Sequence, residues 1–97
     1  MTLTENRIID LGYQGLNITK LSQTESTETL LVTLEGGKDF PEHTSPKDTL
    51  LIVLTGEIIF NQEDKKTRLT TFDHYCFKAH EPHSVQAQLN SKFLIIR

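Results

Sequence analysis

The sequence predicts an all-β domain, built as a small antiparallel β-barrel or as a β-sandwich. Thr, Ile and Val together supply 24 of its 97 residues, against only two alanines, and β-branched side chains favour strands over helices. Short apolar segments separated by turn residues recur along the chain, which is typical of sandwiches and small barrels. This length suits a single domain, which we divide into an N-terminal arm (residues 1–15) and a barrel (residues 16–97).

Composition and charge exclude several classes of protein. The one cysteine, Cys76, excludes an intrachain disulfide and a cysteine-based zinc module. No apolar run approaches the roughly 20 residues of a membrane span, and residues 1–7 have no features of a secretory signal. Ten basic residues stand against thirteen acidic ones, a net charge of −3, which argues against duplex nucleic acid as a partner. We therefore expect a cytoplasmic domain with neither a nucleic-acid nor a membrane partner.

The first half of the chain holds two strand candidates after an ambiguous start. Residues 6–15 are compatible with one helical turn or with a short strand. Residues 16–21 are a weak strand candidate, followed by a polar turn. Residues 29–35 place alternate apolar side chains on one face with the period of a strand. Two glycines, Gly36 and Gly37, end that strand.

The second half of the chain is richer in strand candidates. Residues 49–60 are apolar almost throughout but are divided by Gly56, which predicts either two strands or one strand bent at the glycine. Residues 61–66 read as a charged hairpin turn. The remaining strand candidates are residues 66–70, 74–78, 83–89 and 92–96.

The clearest alternation lies in residues 83–90. One face of this strand carries Ser84, Gln86, Gln88 and Asn90, and the other carries His83, Val85, Ala87 and Leu89. Successive side chains of a strand point to opposite faces, so the second face is apolar except for a histidine at its end. In a barrel that face points inward, and we expect His83 to look into the interior from near a rim.

A second stretch, residues 37–49, carries candidate polar groups. If it is extended, His43 and Ser45 share a face. On the following strand Thr49, Leu51 and Val53 share one as well. The predicted interior pocket therefore combines apolar walls with a few polar groups: His43, Ser45, Thr49, Leu51, Val53, His83, Val85 and Ala87, with Phe40 or Phe77 beside them.

The spacing of these residues resembles a known motif. Gly37 is followed after five residues by His43, after one more by Ser45, after three by Thr49 and after six by Gly56. The first motif of small cupins runs Gly, five residues, His, one residue, His, three or four residues, Glu, six residues, Gly. The resemblance covers about residues 30–96 and implies a small single-domain cupin, with an antiparallel β-barrel or jelly roll of cupin type.

The second cupin motif is largely lost. It runs Gly, five residues, Pro, one residue, Gly, two residues, His, three residues, Asn. The corresponding positions here are Phe72, Lys78, His80, His83 and Ala87. Only the histidine survives, so the resemblance rests mainly on the first motif and on the hydrophobic pattern.

The resemblance bears directly on metal binding. Metal-binding cupins use two histidines and a glutamate from the first motif and a histidine from the second, of which His43 and His83 remain. Ser45 and Thr49 stand in place of the other two ligands, and a neutral hydroxyl is a poor ligand for a divalent transition metal. His80 could complete the shell or could lie on the surface. A degenerate metal site at His43 and His83 and a metal-free pocket thus remain alternatives.

Two functions from different classes follow. In the first, the chain is a stand-alone cupin that binds a small molecule in the barrel pocket, which suits a cavity with a few directional polar groups. In the second, it is a metal-dependent cupin enzyme of the isomerase or dioxygenase type using His43 and His83, against which the missing ligands argue. We also expect a homodimer, because residues 50–54 are apolar on both faces and the face with Leu50, Ile52 and Leu54 needs a cover. A purely structural dimer is a third possibility.

Overall fold

The computed structural model describes residues 7–97, and strands dominate this part of the chain. A single 3-10 turn, Ile8–Asp10, precedes the first strand, so the start of the chain takes the helical-turn alternative, although Asn6 lies outside the described residues. Within the described part no helix is long and apolar enough to cross a membrane. The nine strands are β1 (Leu16–Gln23), β2 (Glu28–Leu34), β3 (Asp39–His43), β4 (Thr49–Thr55), β5 (Glu57–Gln62), β6 (Lys65–Thr70), β7 (His74–Phe77), β8 (His83–Ala87) and β9 (Ser91–Ile96).

The strands form two antiparallel sheets. The larger sheet has the order β1-β2-β9-β4-β7 and the smaller one the order β3-β8-β5-β6. The sheets face each other without joining into one continuous ring, so the predicted all-β antiparallel barrel is realised as a two-sheet jelly roll. The fold-class prediction is confirmed.

The core lies between the two sheets and follows from the period-two alternation. In the larger sheet Val32 pairs with Phe93, and Phe93 pairs with Val53, so their side chains lie in one row on the inner face. In the smaller sheet Phe60 pairs with Val85 on the facing surface. All five side chains are at most 2% exposed, and burying apolar surface of this kind is the main source of stability.

Gly56 separates β4 from β5, as one of the two sequence alternatives predicted. It adopts φ +100°, a backbone conformation that costs glycine nothing and other residues much. A Cβ at this position would lie only 2.7 Å from the Cα of Ser91. The residue is therefore required to be glycine twice over, by its conformation and by the close approach of β9.

Several strand boundaries differ from the sequence prediction by one or two residues, and two of these differences change the interpretation. The charged hairpin turn is shorter than predicted, because β5 extends through Gln62 and β6 begins at Lys65. Leu89 does not face the interior: β8 ends at Ala87, and Leu89 is 57% exposed. The physical reason is a bend, since the amides of Gln88 and Leu89 both donate to the carbonyl of Glu57 instead of continuing the strand.

The segment before β1 is attached to the larger sheet through Lys92. This lysine lies beside the inward-facing Phe93 and so points to the outer face, yet it is only 3% exposed. Its Nζ donates to the carbonyls of Ile8 at 2.8 Å and Ile9 at 3.2 Å, and it lies 4.9 Å from the ring centroid of Tyr13. The buried charge is thus compensated by two carbonyls and an aromatic face.

Candidate functional site

A cavity of about 160 Å³ lies between the sheets. It is found at the end of the jelly roll where β4 and β8 begin and where β3, β7 and β9 end. Six of the eight predicted pocket residues line it: His43, Ser45, Thr49, Leu51, His83 and Val85. Phe40 and Phe77 line it as well, together with Phe60, Phe93, Ile95 and Arg97.

Val53 was expected in this pocket and is not part of its lining. It lies two residues further along β4 than Leu51, and it is fully buried among the core side chains. Ala87 at the far end of β8 is likewise a core residue. Alternation places both side chains on the inner face, but the cavity occupies only one end of that face. The alternation does not show which positions along a strand lie at the cavity.

The two histidines meet because their strands pair. His43 ends β3, His83 begins β8, and the two residues are direct partners in the register. Their ring centroids are 4.2 Å apart with the planes at 68°. His43 is stacked on Phe40 at 4.0 Å, and His83 lies 4.4 Å from Phe77. Both imidazoles are thereby held in fixed orientations within an aromatic wall.

Each imidazole uses its Nδ1 for a backbone hydrogen bond. The Nδ1 of His43 lies 2.6 Å from the carbonyl oxygen of Pro41, and the Nδ1 of His83 lies 2.8 Å from that of Glu81. A carbonyl oxygen only accepts, so both Nδ1 atoms are assigned the proton. In the neutral form each ring then has Nε2 as a hydrogen-bond acceptor.

The charge state of His83 follows from its surroundings. Burial lowers the pKa of His83, and the nearby His43 and Arg97 lower it further, while the hydrogen bond to the carbonyl of Glu81 opposes the shift. Burial is the largest of these causes because it penalises the charged imidazolium. At neutral pH His83 is therefore uncharged and acts as an acceptor through Nε2.

A directed chain of hydrogen bonds lies across the cavity from the histidines. The Thr49 hydroxyl donates to the carbonyl of Lys47 at 2.9 Å, so it must accept from the Ser45 hydroxyl, also at 2.9 Å. Ser45 in turn accepts from Nη1 of Arg97 at 3.2 Å. Ser45 and Thr49 are only 2% and 3% exposed, and this chain satisfies their buried hydroxyls.

Sequence reasoning missed Arg97. The residue follows β9 and continues its inward-facing row from Phe93 and Ile95, and its Nε donates to Oε1 of Glu28 at 3.0 Å. The hydrogen bond from Arg97, with a second one from Lys20, lowers the pKa of Glu28. Extending the alternation of residues 92–96 by one position would have placed the guanidinium on the inner face.

The donor set does not fit a divalent transition metal. Two imidazoles remain, but both hydroxyls that replace the other ligands are already hydrogen-bonded, and a guanidinium contacts Ser45. Within residues 7–97 no group of three His, Cys, Asp or Glu side chains is arranged so that it could hold a metal ion. His80 does not line the cavity and is exposed, as are His74 and Cys76. A site with a fixed cation and no carboxylate cannot balance the charge of a metal.

Comparison with known proteins supplies the family. The family model of the cupin domain matches residues 30–96. The chain belongs to the cupin family. No curated protein matches the sequence.

Solved structures share this fold over most of the chain. A cupin superfamily protein from Desulfitobacterium hafniense is 24% identical with a TM-score of 0.81, over 90% of this cupin and 80% of that chain. An RmlC-like cupin from Desulfovibrio desulfuricans is 18% identical with a TM-score of 0.85, over 99% and 95%. The DMSP lyase DddQ from Ruegeria pomeroyi is 21% identical with a TM-score of 0.78, over 84% of this cupin and 46% of that chain. At these identities the likeness establishes the fold.

Two positions that correspond to glycines of the second cupin motif have an unusual backbone conformation in this chain. Phe72 and His80 stand at the two glycine positions, and they adopt φ +69° and φ +66°. Among the described residues they are the two non-glycine residues with positive φ. This chain thus adopts left-handed turns at both positions although the residue type that favours them is absent.

Proposed function

We propose that this cupin binds a small organic molecule in the cavity between its sheets, without a metal ion. The observation that supports this most is the composition of the cavity wall, which combines four phenylalanines with a few oriented polar groups at one end. Small-molecule sites in proteins have this character. The volume of about 160 Å³ is close to the roughly 150 Å³ apolar cavity that accommodates benzene in another protein.

The polar groups are arranged to orient a ligand. Nε2 of the neutral His83 accepts a hydrogen bond from a ligand hydroxyl or amide. On the other side, the hydroxyls of Ser45 and Thr49 are committed to each other and to Lys47, so Arg97 is left as the donor available to a ligand. A molecule with an apolar body and polar groups at its ends matches this wall.

Nuclear magnetic resonance titration with benzene tests the cavity itself. Benzene should shift the amide resonances of Leu51 and Val85 and should saturate. The variant Ile95→Phe should abolish these shifts, because Ile95 lines the cavity and a larger side chain there fills part of its volume. Ile95 is only half-buried, which limits the strain that the larger side chain causes. The matched control is Leu94→Phe, which enlarges the neighbouring half-buried residue on the opposite face of β9. Unchanged benzene binding in Ile95→Phe would contradict the proposal.

One observation favours the second candidate, a metal-dependent enzyme using His43 and His83. Both Nδ1 atoms are held by backbone carbonyls, and this arrangement also orients histidines that ligate metals. The jelly roll is compatible with catalysis, since the neighbour DddQ is a lyase. Elemental analysis of protein purified without a metal-affinity tag separates the two candidates. A near-stoichiometric divalent metal would favour the enzyme, whereas we expect substoichiometric metal.

A further inference from the structure

The cavity has an unbalanced charge. Among the described residues that line it, Arg97 is the one permanent ion, and none is acidic. The guanidinium is partly buried, with its side chain 24% exposed. A cation at the edge of an apolar cavity attracts an anion strongly, because electrostatic interactions strengthen where water is excluded.

The carboxylate that accompanies Arg97 does not cancel this charge. Glu28 accepts from Nε of Arg97 through Oε1, but its Oε2 lies 3.3 Å from Nζ of Lys20. One carboxylate is thus shared by two cations. A depression beside the Arg97 end of the cavity adds Glu25 and Lys47, whose charges cancel, so the five side chains together carry a net charge of +1. This contrasts with the net charge of −3 of the whole chain.

The guanidinium also has hydrogen-bonding capacity to spare. Arginine has five N–H groups in a planar fork. In the described part of the chain, Nε donates to Glu28 and one N–H of Nη1 donates to Ser45, so three N–H groups have no protein acceptor there. Since Ser45 anchors Nη1 from inside the cavity, the fork is fixed at the cavity wall. A fixed fork with free donors is the arrangement that binds carboxylates.

We propose that the cavity takes a small monocarboxylate, whose apolar body packs between the phenylalanines and whose carboxylate pairs with Arg97. This inference rests on the proposed function, since it requires an accessible cavity. The apolar body has the size of about one six-membered ring, from the benzene comparison. Pairing with a hydrogen-bonded cation offsets the cost of moving the carboxylate out of water.

The experiment compares benzoate with benzamide, which has the same shape and no charge. Nuclear magnetic resonance titrations of the wild-type chain should give a dissociation constant for benzoate at least about tenfold lower than that for benzamide. The variant Arg97→Gln should remove this difference, because it should weaken benzoate binding much more than benzamide binding. The matched control Lys47→Gln removes a cation that lies beside the Arg97 end of the cavity but does not line the cavity, and it should keep most of the preference for benzoate.

A second variant, expected to strengthen benzoate binding, tests the inference even if Arg97→Gln does not fold. Glu28→Gln keeps an acceptor for Nε of Arg97 and removes the competing negative charge, so benzoate should bind severalfold more tightly. Unchanged or weaker benzoate binding in Glu28→Gln would contradict the inference. If benzene binds in the cavity but benzoate binds no better than benzamide, the inference fails while the proposed function stands. If none of the three molecules binds, the proposed function fails as well.

Discussion

Replacing Phe72 by glycine should stabilise this cupin. Phe72 occupies a turn between β6 and β7 with φ +69°, and its backbone amide donates to the carbonyl of Val53 at 2.7 Å. Asp73 closes the same turn by accepting from the amide of Thr70 at 2.7 Å. These bonds involve no atom of the Phe72 side chain, so Phe72→Gly should leave them in place while it relieves the backbone strain.

The magnitude follows from two opposing effects. A residue with a Cβ pays about 1–2 kcal/mol in the left-handed region, whereas glycine loses roughly 0.5–1 kcal/mol through the greater freedom of the unfolded chain. The ring of Phe72 is 80% exposed, so its removal costs little buried contact. The net gain should be about 0.5–1 kcal/mol, which in a domain of this size raises Tm by roughly 2–8 °C.

Thermal and urea unfolding followed by circular dichroism measure this gain. The control is Phe72→Ala, which removes the ring and keeps the Cβ, and which should unfold at nearly the same temperature as the wild type. His80→Gly repeats the test at the other left-handed position. A Phe72→Gly variant no more stable than Phe72→Ala would refute the argument from backbone conformation.

Three further predictions concern other parts of the molecule. Lys92→Met removes the buried amine and its hydrogen bonds to the segment before β1, so amide exchange and proteolysis of residues 7–15 should become faster while β-sheet circular dichroism is retained. Folding lowers the pKa of His83, so below the unfolded value of about 6.5 the unfolded chain binds more protons than the folded one, and the stability decreases as the pH decreases. The decrease in Tm between pH 7.5 and pH 5 should therefore be smaller in His83→Phe than in the wild type. We expect a dimer through the half-buried face of Leu50 and Ile52, so light scattering should give twice the chain mass for the wild type and the monomer mass for Ile52→Glu.

The sequence allowed the interior of single strands to be predicted but not the extent of the cavity. Alternation in β8 correctly placed His83, Val85 and Ala87 inside, because side chains of a paired strand must alternate. It failed at Leu89, where the chain leaves the sheet to bond with Glu57. No local pattern in residues 83–90 predicts that the amides of Gln88 and Leu89 donate to the carbonyl of Glu57 on another strand.

Arg97 shows a second limit of sequence reasoning. A charged residue at the end of a strand is usually solvated, so the alternation of Phe93 and Ile95 predicts an inward side but not a place for Arg97 in the cavity wall. Its inward orientation depends on Ser45 and Glu28, which are 52 and 69 residues away along the chain. Such partners become apparent only when the order of strands in the sheet is known, and spacing motifs do not contain that order.

The pairing of β2 with β9 has a consequence for the rate at which this molecule folds. These central strands bring together positions as far apart as Glu28 and Arg97, so a long loop must close before the larger sheet can form. Closing such a loop costs conformational entropy before the stabilising contacts have formed. Folds dominated by pairings distant in sequence therefore form in milliseconds to seconds, more slowly than helical bundles. One wall of the cavity belongs to β9, so we expect ligand-binding competence to appear in the slow folding phase, together with the tertiary structure.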